Sequence, residues 1–184
     1  MWVFDRLLVG DGRRWACSQA RGDVLEVAIG TGRNLPYYPE DTRLTGVDIS
    51  PRMPDIARNR ARELGIAADL RIGDAQALDF PDGSFDTVVS TLAMCTIPDH
   101  REAISEAKRV LRPGGYLIIL DHVRSQNPFM HAIQSALDPL FVRIWSDHLL
   151  RDPAVVMEHQ GFAIERLERS KLGIIERVVA RKPV

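Results

Sequence analysis

The feature that most constrains this chain is an alternation. Short apolar runs rich in branched residues recur at 23–29 (DVLEVAI), 43–47 (RLTGV), 68–72 (ADLRI), 85–90 (FDTVVS) and 116–120 (YLIIL), with helical patterns between them. Alternation of this kind predicts parallel strands joined by crossovers, hence a doubly wound α/β sheet. YLIIL is almost wholly apolar, as expected of a strand covered on both faces. Two further runs, 162–167 and 174–180, are joined by a short link through Gly173 and predict a closing antiparallel hairpin. The expectation is seven strands, mostly parallel, in one domain spanning 1–184. No repeat, low-complexity tract or linker suggests a boundary, and the length suits a single core.

The helix signals are local. Ser50 and Pro51 predict an N-cap and first helical position, and Gly65 a C-terminal cap. Asp99 is expected to cap the next helix, with Glu102 completing a capping box. Ala103, Ile104, Ala107, Val110 and Leu111 form its apolar stripe, and Arg112-Pro113-Gly114-Gly115 ends it. A helical insert is expected over 128–150, broken near Pro139. Its Phe129, Met130, Ile133, Leu137, Leu140, Phe141, Ile144 and Trp145 predict a mainly core-facing stripe. The inner side would roof a site, as an apolar lid shared with Trp2, Phe4 and Leu7 of an N-terminal helix within 1–20. Asp152-Pro153 opens a last helix ending near Gly161.

Charge and composition exclude several classes. With 24 Lys+Arg against 25 Asp+Glu, net −1, the chain lacks the cation excess of a dedicated nucleic-acid binder. Two cysteines, Cys17 and Cys95, are too few for a disulfide scaffold or a four-ligand zinc site and fit a reducing, cytoplasmic setting. The longest apolar stretch is interrupted by His131, Asp138, Pro139, Arg143 and Asp147, so no membrane span is expected. Peripheral contact with a membrane surface stays open.

In an open parallel sheet, ligands bind beyond the carboxyl ends of the strands. Three features of the sequence collect there. Glu26-Val27-Ala28-Ile29-Gly30-Thr31-Gly32-Arg33-Asn34 carries a G-x-G whose glycines permit a sharp bend and close approach of a ligand. Taken alone this is a weak signal, equally at home in a plain strand-to-helix turn. The third glycine of the dinucleotide fingerprint is missing, with Leu35 in its place. Asp48, ending the second run, can accept both hydroxyls of a ribose or simply sit at a helix entry. Asp74, in Gly73-Asp74-Ala75, can accept from an adenine amine or be a solvated loop acid. Falling on successive strand ends, the three together argue for a ligand site over three unrelated loops, without separating NAD from any other adenosine ligand.

At these residues the chain resembles a known family. LEVAIGTGRN, GVDIS, GDAQALDFPDGSFDTVVST and EAKRVLRPGGYLIILDH are similar to the successive motifs of class I S-adenosylmethionine-dependent methyltransferases, over about 24–181. Within the class, TLAMCTIPD and SDHLLRD most resemble the methyltransferase-like 7 group and bacterial phosphatidylethanolamine and quinone methyltransferases. The resemblance implies a Rossmann-like fold, S-adenosylmethionine as cofactor and roles for matching positions. Glu26 would hold the methionine amino group. Ala28, Gly30, Thr31 and Gly32 would line methionine and ribose, with Asn34 supporting the loop. Asp48 would bind the ribose and Ile49 pack on the adenine, whose edge Asp74 and Ala75 would meet. Thr91 and Leu92 would flank the reacting methyl. Two departures stand out: Ala28 replaces a common glycine, and Ser146-Asp147 stands where relatives often read Gly-Cys before His-Leu.

A sulfonium donor is already activated, so methyl transfer itself needs no metal, and none is expected. The task is to hold a nucleophile in line with the methyl group. A base matters only where the acceptor must lose a proton; His122 is the first candidate and His148 the second, with His100 behind them. Cys95 is expected to be a small buried residue. The acceptor is read as small and apolar or lipid-like: a thiol, a phenol or quinone, an amine or a lipid headgroup. The rival readings are an NAD(P)-dependent oxidoreductase on the same fold and a cofactor-binding protein without methyl transfer.

Overall fold

A computed structural model of the protein describes residues 9–184. Trp2, Phe4 and Leu7, expected in the lid, lie outside the described residues. The order of elements is α1 (Gly12–Cys17), β1 (Asp23–Val27), a 3-10 turn (Leu35–Tyr37), β2 (Arg43–Asp48), α2 (Met53–Leu64), β3 (Ala68–Ile72), β4 (Phe85–Thr91), α3 (His100–Val110), β5 (Leu111–His122), α4 (Pro128–Trp145), α5 (Pro153–His159), β6 (Ala163–Ser170) and β7 (Ile175–Arg181). They build one seven-stranded sheet in the order β3-β2-β1-β4-β5-β7-β6. The first five are parallel neighbours; β7 runs antiparallel to both β5 and β6. The mostly parallel sheet and antiparallel hairpin are as expected.

Side chains of the central strands alternate between two cores. Leu25, Val88, Leu117 and Ile119 pack with Ile104 and Ala107 of α3 and Met157 of α5 on one face. Val24, Val89, Ile118 and Leu120 pack with Ala16 and Cys17 of α1 and Ala57 and Ala61 of α2 on the other. Each fully buried Leu or Ile contributes about 1.5–3 kcal/mol of transfer energy. That explains why these strands read as continuous apolar runs.

Several expected boundaries are corrected. The helix after β2 starts at Met53 with Arg52 at the N-cap, not at Ser50-Pro51. The reason is that Asp48 captures the Ser50 N–H at 2.9 Å and closes a turn first. Asp99 does cap α3, accepting from the N–H groups of Arg101 and Glu102, but Glu102 completes no box. The Asp99 N–H instead donates to Oε1 of Gln76 at 2.8 Å. Strand β5 begins at Leu111, with an irregular register against β4 between Phe85 and Thr87.

The insert differs most. Pro139 sits inside an unbroken α4. Proline lacks the N–H that an α-helix would direct at the carbonyl of Ser135, and Ser135 is exposed, so water can reach that group. Six of the eight apolar residues do not face the core: Phe129 is 73% and Trp145 60% exposed, and Ile133, Leu137, Leu140 and Ile144 are exposed as well, while Met130 and Phe141 are half-buried. The helix is tethered by polar residues instead. Buried Gln134 donates to the carbonyls of Val123 and Leu149 and accepts from Ser125 N–H, while Asp138 accepts the Leu149 N–H at 2.7 Å. Gln134 and Asp138 lie one turn apart and set the inward face, which turns the stripe outward. Among the described residues no helix is long and apolar enough to cross a membrane.

Candidate active site

Strand β1 ends at Val27, and the backbone then bends through left-handed positions at Ala28 (φ 55°), Gly30 (φ 55°) and Gly32 (φ 72°). A Cβ at Gly32 would lie 2.7 Å from Leu35 Cδ1 and 3.2 Å from Ala57 Cβ, so this glycine lets the loop pack on α2. A Cβ at Gly30 would meet nothing within 4 Å, so that side of the bend is open. No α-helix follows. The crossover to β2 contains only the 3-10 turn with Pro36 in it. The bend is tied to the tip of β2: Asp48 Oδ2 accepts the Gly30 N–H at 2.8 Å, and Ile29 N–H donates to Val47 O at 3.0 Å.

The three strand tips converge as expected. Ala28, Asp48, Ile49, Gly73, Asp74 and Ala75 line one groove of about 180 Å³, closed on the far side by Thr96, Ile97 and Pro98. Asp74 Oδ1 accepts the N–H of Gln76 at 2.9 Å, which fixes the carboxylate. Ile49 is 64% exposed, an apolar side chain on the lip of the groove. A larger cavity of about 560 Å³ lies between the bend and α2, lined by Thr31, Arg33, Tyr37, Asn59, Arg60 and Glu63 among others. It holds neither Asp48 nor Asp74, so the smaller groove is the better candidate.

Beneath the bend lies a buried polar network. Glu26, 1% exposed, accepts from Asn34 Nδ2 at 2.7 Å and from the Tyr38 hydroxyl at 2.8 Å. Asn34 Nδ2 also donates to Thr91 Oγ1 at 2.8 Å. Arg13 of α1 reaches in, its Nη1 donating to Asn34 Oδ1 at 3.0 Å and Thr91 Oγ1 at 2.9 Å. Burial pushes the Glu26 carboxyl up to about 7, against the pull of Tyr38, Asn34 and Arg13. Arg13 and Tyr38 escape sequence reasoning, since nothing in their local pattern marks them. Leu92, beside Thr91, holds a left-handed φ of 54° while its N–H donates to Leu120 O at 2.7 Å.

A second cluster occupies the tips of β4 and β5. His122 Nε2 lies 3.0 Å from Asp147 Oδ1. Asp121 is fully buried, accepting from the N–H groups of His122 at 2.8 Å and Ala93 at 3.2 Å. Cys95 is buried beside both carboxylates, and burial with their negative charge pushes its thiol far up. Burial disfavours charge on His122, but Asp147 and Asp121 outweigh it and the imidazole pKa is raised. Asp147 arrives here because Ser146 ends α4 in a left-handed conformation, φ 55°. His148 N–H donates to Cys95 O at 3.0 Å, which brings the second candidate histidine to the same loop. His100 is pushed down to about 4 by burial and by Arg151.

A bend with two carboxylates on neighbouring tips, above a buried Glu26 and a half-buried Arg13 joined through Asn34, is suited to a zwitterionic nucleoside. Residues 25–119 match the family described as Methyltransferase domain. The chain belongs to the class I S-adenosylmethionine-dependent methyltransferases. This methyltransferase is 35% identical over 158 residues to phosphatidylethanolamine N-methyltransferase of Cereibacter sphaeroides, covering 84% of this chain and 72% of that one. It is 31% identical over 173 residues to thiol S-methyltransferase TMT1A of Homo sapiens, covering 91% and 68%. A solved protein of Bacillus halodurans shares the fold with a TM-score of 0.79 at 19% identity, covering 94% of the methyltransferase and 98% of that chain. The cofactor of this methyltransferase is S-adenosylmethionine, and the carboxylates of Asp48, Asp74 and Glu26 are acceptors of the kind its hydroxyls, amine and ammonium would need.

Proposed function

We propose that the enzyme transfers the methyl group of S-adenosylmethionine to a small, apolar acceptor by in-line displacement. The observation that carries this reading is the convergence of the glycine bend, Asp48 and Asp74 on one groove. In it, Asp48 takes the ribose hydroxyls, Asp74 and Ala75 meet the adenine edge, and Ile49 covers the ring. Glu26 faces the ammonium group, with Arg13 near the carboxylate. Gly30, Thr31 and Gly32 follow the ligand by backbone contact while Asn34 braces them. Thr91 and Leu92 border the methyl group.

Positioning is the main catalytic contribution: holding a nucleophile opposite the sulfur can supply roughly 7–11 kcal/mol. A thiol, phenol or protonated amine acceptor also gives up a proton. His122 and His148 are assigned to that end of the site on the strength of their place beside Cys95 and Asp147. The exposed face of α4 serves as an apolar approach for the acceptor, which includes lipid-like molecules at a membrane surface. A cytoplasmic setting suits the two free thiols.

The oxidoreductase reading is disfavoured by a specific feature. A dinucleotide pyrophosphate needs the N-terminus of a helix directly after the glycine bend, and here a three-residue turn containing Pro36 takes its place. Calorimetry with S-adenosylhomocysteine and NAD tests the choice: binding of the first and not the second is expected, and preference for NAD would overturn it. A screen of thiols, phenols, amines and lipids for methylation then separates a transferase from a protein that only binds the cofactor.

A further inference from the structure

We propose that Cys95, Asp121 and His122 form a binding site for one divalent ion of the zinc class, with Asp147 holding the histidine. The Cys95 sulfur, a carboxylate oxygen of Asp121 and a ring nitrogen of His122 all lie within 4.8 Å of one another. Cys95 is 3% exposed and Asp121 fully buried, so two of the three donors are fixed by the core. They come from the loop after β4 and the last residues of β5, both at the end of the sheet where the cofactor groove lies. His122 Nε2 lies 3.0 Å from Asp147 Oδ1, an ion-pair distance at which that oxygen still has no hydrogen-bond partner among the described residues. The nitrogen left over, Nδ1, is buried and has no hydrogen-bond partner among the described residues.

In a metal-binding histidine one nitrogen donates to a carboxylate, which fixes the tautomer and leaves the other lone pair for the ion; Asp147 stands beside Nε2 where it could take that part. Sulfur, imidazole and carboxylate together suit zinc and not the all-oxygen preference of magnesium or calcium. Three protein ligands leave a fourth position of a tetrahedral ion open, as in catalytic sites. On binding, the Cys95 S–H bond breaks, its proton goes to solvent and a metal–sulfur bond forms, with no change of oxidation state. The inference rests on the methyltransferase reading only for its purpose: the open position would take the acceptor, and a thiol, bound as thiolate, is the class it favours.

Cobalt(II) is the probe. The chelator-stripped full chain is titrated with it, and S-adenosylhomocysteine binding is measured on the same samples. Expected are one equivalent of uptake, tetrahedral visible bands and a thiolate charge-transfer band in the near ultraviolet that zinc displaces. Cys95→Ser should remove the charge-transfer band, and Asp147→Asn should weaken uptake about 10- to 100-fold. Retained S-adenosylhomocysteine binding certifies each variant as folded. Should the serine variant lose it, His122→Gln takes its place, with loss of uptake expected. Wild-type protein that binds S-adenosylhomocysteine but shows no thiolate band overturns the metal site and leaves the cofactor reading standing. A band that depends on Cys95 without S-adenosylhomocysteine binding supports the metal site and overturns the cofactor reading.

Discussion

The carboxylate of Asp48 accepts the N–H of Gly30 at 2.8 Å, so the tip of β2 holds the bend that follows β1. The same side chain accepts from Ser50 through its other oxygen. One residue therefore shapes the groove and presents charge to it.

Replacing Asp48 with alanine should weaken S-adenosylhomocysteine binding by about 1–3 kcal/mol, the usual effect of losing hydrogen bonds to a charged acceptor. Isothermal calorimetry reads this directly. An unaltered dissociation constant would place the ribose elsewhere.

Ala28 occupies a left-handed conformation, φ 55°, where a side chain strains against the backbone. Ala28→Gly should relieve that strain and raise stability by up to about 1 kcal/mol, after the greater chain entropy of glycine is offset. Gly32→Ala should do the opposite, because its Cβ would meet Leu35 at 2.7 Å. Melting temperatures of the two variants, moving in opposite directions, are the check.

Glu26 provides a pH test. Its folded pKa of about 7 stands above the ordinary carboxylate value, so the folded protein holds a proton that the unfolded chain has already released. Stability without cofactor should therefore be greatest below the unfolded pKa and fall as pH rises to about 7, by at most about 3 kcal/mol. Urea unfolding at about pH 5 and about pH 8 measures the fall. Glu26→Gln should flatten it; an equal slope in the variant would assign the effect to another group.

Trp145 is 60% exposed, its ring centroid 5.1 Å from that of Phe141. Truncation to alanine should change stability by less than about 0.5 kcal/mol, as surface changes do. If the outer face of α4 guides the acceptor, the variant should show a raised KM for the acceptor and the same affinity for S-adenosylhomocysteine. Weakened cofactor binding would remove the helix from that role.

The sheet was legible because β1, β4 and β5 are covered on both faces and so carry unbroken apolar runs. The tips were legible for a related reason: a bend that needs left-handed backbone selects glycine, and carboxylates at strand ends stand out beside it. The insert was misread because its apolar residues recur at helical spacing, and periodicity reports that a face exists without saying which way it points. Gln134 and Asp138 decided that, through hydrogen bonds to Val123 and Leu149 that no local pattern announces. Arg13 joins Thr91 across 78 residues of chain, and Asp147 reaches His122 from beyond α4. Such pairings are products of the tertiary fold.

The sheet order has a consequence for synthesis. β7 leaves the ribosome after β6, yet it is seated between β5 and β6, and among the described residues β6 has no other neighbour in the sheet. During translation β6 emerges with nowhere to pair. Its place in the sheet is reached only through β7, so this edge cannot close before the residues of β7 have followed it out.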